Sequence, residues 1–499
     1  MADYDVIVIG AGNGGLTSAA TLAQKGVKVL VLEQHNIPGG CATSFCRGRF
    51  EFEVALHQLS GLGTAKKPGP LRGLLTKLDV MDKLEFVQMT DLYRMQIIPE
   101  DLSITLKPDR EMIVEELTKH FPAEKQGIKG YMDLIYNFFT EAIGAQYMND
   151  PDASPERYPL YFKYALKTTQ QAMDSFIKDP TLKTVLSPYW SYIGLPPNKM
   201  NFHDMAAMIY GYCEFKPFHL KGGSQALSNA IADTIIRNGG TIHYNCAAKK
   251  IIVKDGKVQG VLTENEDEIT AKYVISNASK ISTYVDMMDE EHVPDAIRGE
   301  LRQTSIAQGG FIIYMGLDCE PEEAGFTEST NFIFGNTDAN KAYERMKVAD
   351  INQDDFLLLS CYDLIDPSFS PEGTCQAALI TLKYGDAWLR IPPAQYAAKK
   401  HECADAMLKV AGKLYPNLRN HIEEIEIATP ITSMRYLGHP NGSFYGFEHH
   451  IKDSETFLPN ESHIKGLYGA GGWVGLCGFQ TTLDSGARIG RTIYKEINA

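Results

Sequence analysis

The stretch that decides the fold runs from Tyr4 to Glu33 and reads YDVIVIGAGNGGLTSAATLAQKGVKVLVLE. Val6 to Ile9 form an uninterrupted apolar run, which is typical of a strand buried on both faces. A glycine-rich turn follows, then a helical stretch with small and apolar faces, and then a second apolar run that ends at Glu33. This order predicts a strand, a tight turn, a helix and a second strand, closed by an acidic side chain.

Each glycine of the turn has its own physical reason. Gly10 permits the tight turn, Gly12 lets the backbone approach a pyrophosphate, and Gly15 lets the helix pack closely on the strand. The helix N-terminus directs N–H groups and a positive dipole end at phosphate, while Glu33 is placed to accept hydrogen bonds from a ribose diol. An acid at position 33 argues against a ribose phosphate. The unit predicts a dinucleotide site, and a glycine-rich turn in some other α/β protein is the weaker interpretation.

The other end of the chain adds a second glycine turn. Gly471 and Gly472 follow an apolar run, and a last helix is predicted from about Thr482. Its first turn would direct another set of N–H groups at the cofactor. An ordinary strand, loop and helix is the alternative interpretation of this tail. Together with the pair Gly39–Gly40 just beyond Glu33, it favours FAD over NAD.

The chain resembles the phytoene desaturase, carotenoid isomerase and retinol saturase group of FAD-dependent oxidoreductases, within the amine-oxidase-like flavoproteins. The resemblance includes the opening unit with its glycine pair, and the segment Phe52–His57. That segment is similar to the group's Phe-Asp-x-Gly-x-His element, in retinol saturase most of all, with Glu53 in place of Asp and Ala55 in place of Gly. Residues 220–227 and the strand 273–278, which returns to the cofactor domain, match as well.

The resemblance implies an α/β fold with a discontinuous, Rossmann-like FAD-binding domain. It also implies an α+β substrate domain with a mixed sheet and covering helices. The expected FAD-binding domain takes residues 1–60, 215–300 and 460–499, and the substrate-binding domain takes residues 61–214 and 301–459.

The two insertions of the substrate domain differ in pattern. The first reads as helical and aromatic, with helices that line a tunnel or touch a membrane, and plain core packing is the alternative interpretation of those rings. The second predicts strands at Phe311–Leu317, Phe356–Ser360 and Gln376–Leu382, covered by a long helix from about Ala394 to Tyr415.

The candidate site residues fall into two groups. The family resemblance places the backbone near Ala248 at the adenine. The residues expected to contact FAD are Gly10, Gly12, Asn13, Gly14, Gly15, Glu33, Gln34, Gly40, Cys41, Ala248, Gly471, Gly472, Gln480, Thr481 and Thr482. The polar groups expected near the reacting bond are His57, Tyr445 and Cys477, and a core histidine bonded to backbone is the alternative interpretation of His57.

The resemblance implies an FAD-dependent oxidoreductase that acts on a carbon–carbon bond of a long polyene, isoprenoid or acyl lipid. Retinol-saturase-like alkene reduction is the first hypothesis, since that likeness is the strongest. Desaturation and cis–trans isomerisation stay open, as do an amine oxidase and a non-catalytic lipid escort of the same fold, similar to the GDP dissociation inhibitors. A second nucleotide-binding unit is not evident, so reducing equivalents are expected from NAD(P)H visiting transiently or from another redox partner.

Composition excludes other classes. The chain has 499 residues, 44% of them hydrophobic, and a net charge of −14 from 48 basic and 62 acidic residues. This charge disfavours nucleic acid as a partner. The nine cysteines show no Cys-x-x-Cys pair and no metal-ligand spacing, which predicts reduced thiols and no metal site. The opening apolar run belongs to the nucleotide unit and no run is long enough for a membrane span, so we expect a cytoplasmic protein, with peripheral membrane contact left open.

Overall fold

The structure is a computed structural model that describes residues 2–148, 150–450, 463–475 and 478–499. Its strands are β1 (Tyr4–Ile9), β2 (Val29–Leu32), β3 (Ser44–Arg47), β4 (Phe50–Glu53), β5 (Phe86–Gln88), β6 (Tyr93–Ile97), β7 (Leu102–Leu106), β8 (Phe218–Leu220), β9 (Thr241–His243), β10 (Ala248–Lys254), β11 (Lys257–Thr263), β12 (Glu268–Ser276), β13 (Gly309–Leu317), β14 (Thr330–Phe334), β15 (Phe356–Ser360), β16 (Cys375–Lys383), β17 (Ile422–Ala428) and β18 (Leu467–Gly469).

The helices are α1 (Asn13–Ala23), α2 (Pro70–Lys77), α3 (Arg110–His120), α4 (Lys125–Ala142), α5 (Pro159–Tyr164), α6 (Thr169–Asp174), α7 (Pro180–Leu186), α8 (Trp190–Ile193), α9 (Phe202–Phe215), α10 (Gly223–Arg237), α11 (Asp295–Gln303), α12 (Ala339–Arg345), α13 (Gly385–Leu389), α14 (Pro393–Ala411), α15 (Pro430–Leu437) and α16 (Phe479–Ile497).

The first sheet has a parallel part in the order β9-β2-β1-β12-β18, and β10 and β11 extend it as an antiparallel meander from the start of β12. Helix α1 packs between α10 and α16. The α1–α16 crossing is close because Gly486 faces α1, where a Cβ would lie 2.0 Å from Gly14 O. All parallel strands point the same way, so the loops that follow them meet at one edge of the sheet, where α/β proteins bind ligands.

The second sheet has the order β17-β13-β16-β15-β14-β6-β7, antiparallel except between β14 and β6. Strands β13 and β16 are buried along their whole length, because helix α14 covers one face of the sheet and the aromatic helices cover the other. Strand β15 has the predicted bounds, whereas α14 ends at Ala411, before the predicted Tyr415. Strands β6 and β7 show that the first insertion, expected to be helical, also contributes to this sheet.

The helical insertion packs its rings mainly against each other. Tyr131, Phe138, Trp190 and Phe202 are less than 2% exposed, which fits the core-packing interpretation for these rings. Rings at the rim differ, since Tyr147 is 49% and Phe162 is 45% exposed.

The two sheets confirm the predicted α/β fold, with a Rossmann-like sheet in one domain and a mixed sheet in the other.

The hairpin of β3 and β4 joins the two sheets. Arg47 Nε pairs with Glu426 Oε2 at 2.8 Å, and Arg49 Nε donates to Glu423 Oε1 at 3.0 Å, both on the edge strand β17. These exposed pairs contribute little free energy individually, about 0–1 kcal/mol each. They attach the turn of this hairpin to β17.

Candidate functional site

The turn after β1 presents backbone N–H groups at the start of a helix. Gly10 has a φ of +90°, and its N–H donates to Leu32 O at 2.8 Å, which ties the turn to β2. Gly12 is the N-cap of α1, and no side chain caps that helix. The first N–H groups of α1 and its dipole therefore suit an anion such as a pyrophosphate.

Close packing requires glycine at two positions of this turn. A Cβ on Gly15 would lie 1.9 Å from Gly10 O, and a Cβ on Gly12 would lie 2.7 Å from Asn277 Nδ2. The first contact is with backbone, so side-chain rotation cannot relieve it. A larger residue at position 15 would push α1 away from β1 and disturb the turn.

Glu33 follows β2 and directs its carboxylate at the glycine turn. The residue is 7% exposed. Its Oε2 accepts from the Ala11 N–H at 2.6 Å, and its Oε1 accepts from the His35 N–H at 2.8 Å. Burial raises the pKa of Glu33, although these two hydrogen bonds act in the opposite direction. Each oxygen keeps a second lone pair, so the carboxylate can still accept hydrogen bonds from two ribose hydroxyls.

The segment after Glu33 returns across the glycine turn. The Gly39 N–H donates to Ala11 O at 2.8 Å, and a Cβ on Gly40 would lie 3.3 Å from Gly12 Cα. Cys41 follows, and burial raises the pKa of its thiol to about 11. Gly40 therefore lies directly on the turn, next to a thiol that stays protonated at neutral pH.

Gln34 and Ala248 lie on the outer side of the same region. A Cβ on Gly438 would stand 3.4 Å from Gln34 Nε2. Ala248 opens β10, and two residues earlier the Cys246 N–H donates to Glu33 O at 2.9 Å. Both residues thus lie near Glu33, which is where the sequence places the adenosine.

The carboxyl-terminal glycines approach the turn from the other side. A Cβ on Gly471 would lie 2.3 Å from Asn277 Oδ1, and a Cβ on Gly14 would lie 2.6 Å from Gly471 N. Gly472 continues the segment, and its carbonyl oxygen lies 2.8 Å from where a Cβ on Gly446 would stand. Any residue larger than glycine at positions 14 or 471 would therefore place its side chain in the space beside the N-terminus of α1.

The first turn of α16 carries the three polar residues predicted near its start. Thr482 Oγ1 accepts from Asn13 Nδ2 at 3.4 Å, and Gln480 Oε1 accepts from Ser60 Oγ at the same distance. Thr481 Oγ1 donates to a backbone oxygen just before the helix. Thr482 therefore contacts the glycine turn at Asn13, and Gln480 contacts the loop at Ser60.

We define the cofactor cradle as Gly10–Gly15, Glu33, Gly39–Cys41, Asn277 and Gly471–Gly472. Asn13 Oδ1 is buried in it, without a hydrogen-bond partner among the residues that the structure describes. An unpartnered buried acceptor costs about 1–3 kcal/mol, so a donor from a ligand fits this position. The glycine positions, the helix N-terminus and the acceptor at Glu33 fit the ADP half of a dinucleotide.

His57 lies on the loop that leaves β4. Within the described chain its imidazole makes no hydrogen bond, and its ring centroid lies 6.0 Å from that of Tyr192. Burial lowers the pKa of His57 to about 4, so the ring is neutral at pH 7. The alternative of a core histidine bonded to backbone finds no such bond in the structure.

Tyr192 lies beside His57, and Tyr445 lies near Tyr192. Tyr445 packs against the aromatic cluster, and its N–H donates to Ser443 Oγ at 3.2 Å. The Tyr192 hydroxyl is buried and has no hydrogen-bond partner in the described residues. Burial raises its pKa well above the usual value, and Tyr445 adds to the shift. The third predicted polar group, Cys477, lies outside the described residues.

Glu53 holds the His57 loop in place. Its Oε1 accepts from the Ala55 and Leu56 N–H groups at 2.9 and 2.8 Å, and its Oε2 accepts from the Ser224 N–H at 2.6 Å. Ser224 lies at the start of α10, a helix that packs on α1. The carboxylate thus connects the loop of His57 to α10, which packs on the helix that begins in the cofactor cradle.

Sequence reasoning did not assign Asn277, Tyr192 or Glu53 to the site. Glu53 had a signal, as the acid of the element that the family shares. Asn277 lies near the end of a predicted strand, 273–278, so its place at the carboxyl edge of the sheet could have been inferred. Tyr192 had no local signal, because it differs from other rings of the helical insertion only in its tertiary neighbours.

No helix in the described ranges is both long and apolar enough to cross a membrane.

Comparison with known proteins agrees with this geometry. Residues 8–72 match the family model of an NAD(P)-binding Rossmann-like domain. All-trans-retinol 13,14-reductase of Danio rerio is 25% identical, with 98% of this chain and 86% of that protein covered. Prolycopene isomerase 2 of an Oncidium hybrid cultivar is 27% identical, with 94% of this chain and 80% of that protein covered.

The chain is homologous to both enzymes. It is a flavoprotein oxidoreductase, and the resemblance inferred from its motifs is confirmed.

Solved structures show the same fold for this flavoprotein. An oxidoreductase from Methanosarcina mazei has a TM-score of 0.65 at 18% identity, covering 97% of this chain and 99% of that one. Putrescine oxidase bound to putrescine has a TM-score of 0.64 at 13% identity, covering 99% of each chain. At such identities the likeness concerns the fold alone.

Proposed function

We propose that this flavoprotein binds FAD and reduces a carbon–carbon double bond of a long apolar polyene, isoprenoid or acyl lipid. The observation that carries the proposal is the pairing of His57 with Tyr192. Within the described residues, neither the imidazole of the one nor the hydroxyl of the other has a hydrogen-bond partner, and both stand among aromatic rings. We call the aromatic surroundings of His57 and Tyr192 the chamber, because rings with few polar groups among them would suit a long apolar substrate. The relatives are a reductase of retinol and an isomerase of prolycopene.

FAD is the flavin that the cradle suits best. The turn Gly10–Gly15 would hold the pyrophosphate, Glu33 would hold the ribose, and Gly40 with Cys41 would lie along the cofactor. Gly471, Gly472 and the start of α16 would supply N–H groups from the other side. When bound, the flavin supplies hydride transfer chemistry, and the protein supplies orientation and exclusion of water.

The chain's own residues then have distinct roles. Neutral His57 can donate one hydrogen bond and accept another and so orient a substrate atom, but its lowered pKa means that no imidazolium is present to act as an acid at neutral pH. Tyr192 stays protonated and can donate a hydrogen bond. Tyr445 lies near Tyr192 and is a further candidate for a polar group at the reacting bond. Cys477 is the third candidate. The surrounding rings exclude water.

Cis–trans isomerisation is the second candidate, and the match to prolycopene isomerase favours it. Desaturation would use the same chamber in the opposite direction. An amine oxidase has support only at the level of the fold. A non-catalytic lipid escort would not need a complete dinucleotide cradle.

We propose NAD(P)H, binding transiently, as the source of electrons for reduction.

The proposal divides the chain by role and allows a membrane-facing entrance. Residues 1–60, 215–300 and 460–499 would bind FAD, and residues 61–214 and 301–459 would bind substrate. Rim side chains of the helical insertion are exposed: Tyr147 by 49%, Met148 by 76%, Phe162 by 45% and Leu166 by 66%. Lys163 and Lys167 flank them, as suits an anionic lipid surface. Flotation with anionic vesicles, compared between wild type and Leu166→Asp, tests this part.

The test of the reaction uses the bound flavin as its own indicator. The purified protein is expected to be yellow and to release FAD on denaturation. After anaerobic reduction with dithionite or NAD(P)H, reoxidation is followed against retinoids, carotenoids, unsaturated fatty acids and enones. An alkene that restores the oxidised spectrum and is recovered saturated supports the proposal. Recovery of a geometric isomer without net oxidation favours isomerisation, and peroxide formed from amines or a colourless protein overturns the proposal.

A further inference from the structure

A cluster of three side chains with metal-ligating atoms lies on the second sheet, where β13 ends and β17 begins. Asp318 and Cys319 follow the end of β13, and His421 precedes β17. One ligand atom from each residue lies within 4.8 Å of the other two. Asp318 and His421 are partly open to solvent, while Cys319 is only 3% exposed.

The backbone fixes this cluster before any ligand binds. Strands β13 and β17 pair as far as Leu317 and Ile422, and the Asp318 N–H donates to His421 O at 3.0 Å. The His421 Nδ1 and Asp318 Oδ1 atoms are also 3.0 Å apart. Ligands held by two paired strands lose little conformational entropy on binding a metal.

The sulfur of Cys319 has a second thiol beside it. Cys375 opens β16 opposite Leu317, and its thiol interacts with that of Cys319. Both cysteines are free. The cluster therefore combines a thiol, an imidazole and a carboxylate at the meeting point of three strands, with another sulfur within reach of the first.

We propose that Asp318, Cys319 and His421 form a Zn²⁺ site with one coordination position open to water. Sulfur, nitrogen and oxygen are the donors that zinc takes in proteins, and where zinc has three protein ligands a water molecule takes the fourth position. Binding forms bonds from zinc to the three side chains and releases the thiol proton of Cys319 to solvent. No electron is transferred, because zinc has no redox chemistry in proteins.

Zinc here would pin the edge strand β17 to β13. The same strand holds the β3–β4 hairpin through Glu423 and Glu426, and that hairpin leads to His57. The site would therefore stabilise the scaffold around the chamber without contacting substrate. This proposal stands apart from the proposed function, because it concerns neither the cradle nor the chamber.

The experiment is a calorimetric titration of Zn²⁺ into untagged holoprotein that has been treated with chelator and exchanged into chelator-free buffer. We expect one zinc per chain and about one proton released, measured by repeating the titration in buffers with different ionisation enthalpies. Cys319→Ser and His421→Ala should each weaken binding at least about tenfold. Zinc should raise the melting temperature of wild type but not of these variants.

Two variants serve as matched controls, since Cys46 and His401 are an exposed cysteine and an exposed histidine that are not members of the cluster. Cys46→Ser and His401→Ala should bind zinc as wild type does. The far-UV circular dichroism spectrum shows that each variant is folded. Absence of zinc binding in wild type, or unchanged binding in both Cys319→Ser and His421→Ala, would overturn the site and leave the proposed function untouched.

Discussion

Glu53 and Ser224 are joined by two hydrogen bonds, from the Ser224 N–H to Oε2 at 2.6 Å and from its Oγ to Oε1 at 2.7 Å. The contact links the hairpin that precedes His57 to the start of α10, 171 positions later in the chain. Because the carboxylate is buried and also accepts from the His57 loop, one side chain fixes the relative position of the cofactor side and the chamber side.

Replacing Glu53 should therefore affect both stability and the reaction. Glu53→Ala removes the acceptor of the buried Leu56 and Ser224 N–H groups, and we expect the free energy of unfolding to fall by several kcal/mol, at roughly 1–3 kcal/mol for each such group that water does not reach. We expect slower flavin reoxidation by substrate in the fraction that stays folded. Urea denaturation and anaerobic stopped-flow measurements check the two effects.

Glu53→Asp is the matched control for that change. It keeps the charge and restores the residue type that the family element carries, so we expect stability between those of wild type and Glu53→Ala. Equal stability and equal reoxidation rates for wild type and Glu53→Ala would contradict the assigned role.

Gly15→Ala should abolish flavin binding. The new Cβ would lie 1.9 Å from Gly10 O, so α1 must move and the phosphate-facing N–H groups must move with it. The ratio of flavin to protein absorbance in the purified variant measures the loss. Gly211→Ala, also inside a helix but with open space around the new Cβ, should keep its flavin and gain about 0.5–1 kcal/mol of stability. A yellow Gly15→Ala protein would count against the cradle.

Glu33 gives a pH dependence with a defined sign. Burial raises its pKa above the usual 4.5, so the folded apoprotein holds this proton more tightly than the unfolded chain does. Its contribution to stability is complete below pH 4.5 and is lost as pH rises through the raised pKa. Relative to Glu33→Gln, the wild-type apoprotein should therefore lose stability over that range.

Urea midpoints of the two apoproteins, compared at each pH, isolate the Glu33 effect from the other carboxylates. A difference that stays constant with pH would mean that Glu33 is not desolvated. With FAD present, Glu33→Gln should bind more weakly, because an amide offers one oxygen acceptor where the carboxylate offers two.

The rate of flavin reoxidation by substrate should not change with pH through the titration of a histidine. Since burial lowers the pKa of His57 to about 4, the imidazole stays neutral from about pH 5 to 8. His57→Gln should lower the rate of flavin reoxidation by substrate while leaving the shape of its pH profile unchanged. A rate that falls in wild type with an apparent pKa near the usual 6.5, and not in the variant, would show that His57 titrates during the reaction.

Tyr192→Phe separates a hydrogen-bonding role from packing. Phenylalanine keeps the ring and removes the buried hydroxyl that has no partner among described residues. If that hydroxyl only packs, removing it should be neutral or stabilising. If it contacts substrate, as proposed, the Kd for substrate should rise by about tenfold, the equivalent of one lost hydrogen bond at about 1.4 kcal/mol. Equilibrium binding to the oxidised protein measures the change.

The sequence was sufficient for the nucleotide half of the fold because its signals are local. The apolar run before Gly10, the glycine spacing and the acid at Glu33 lie within one strand–helix–strand unit. The same holds for β15, whose predicted and observed bounds coincide. Boundaries were less certain where only periodicity was available, as at the ends of α14 and the start of α16.

Local sequence also determined that position 15 must be glycine and that an acid should follow β2, since the reasons are the turn and the strand themselves. Only the tertiary structure decided which side chains meet across long separations. Tyr192 comes to lie beside His57, Ser224 binds Glu53, and His421 joins Asp318 and Cys319 although 102 positions separate Cys319 from His421. These contacts depend on how the strands pair and how the sheets pack. Strand pairing and sheet packing are set by the burial of residues that are distant in the chain, so a short stretch of sequence cannot predict them.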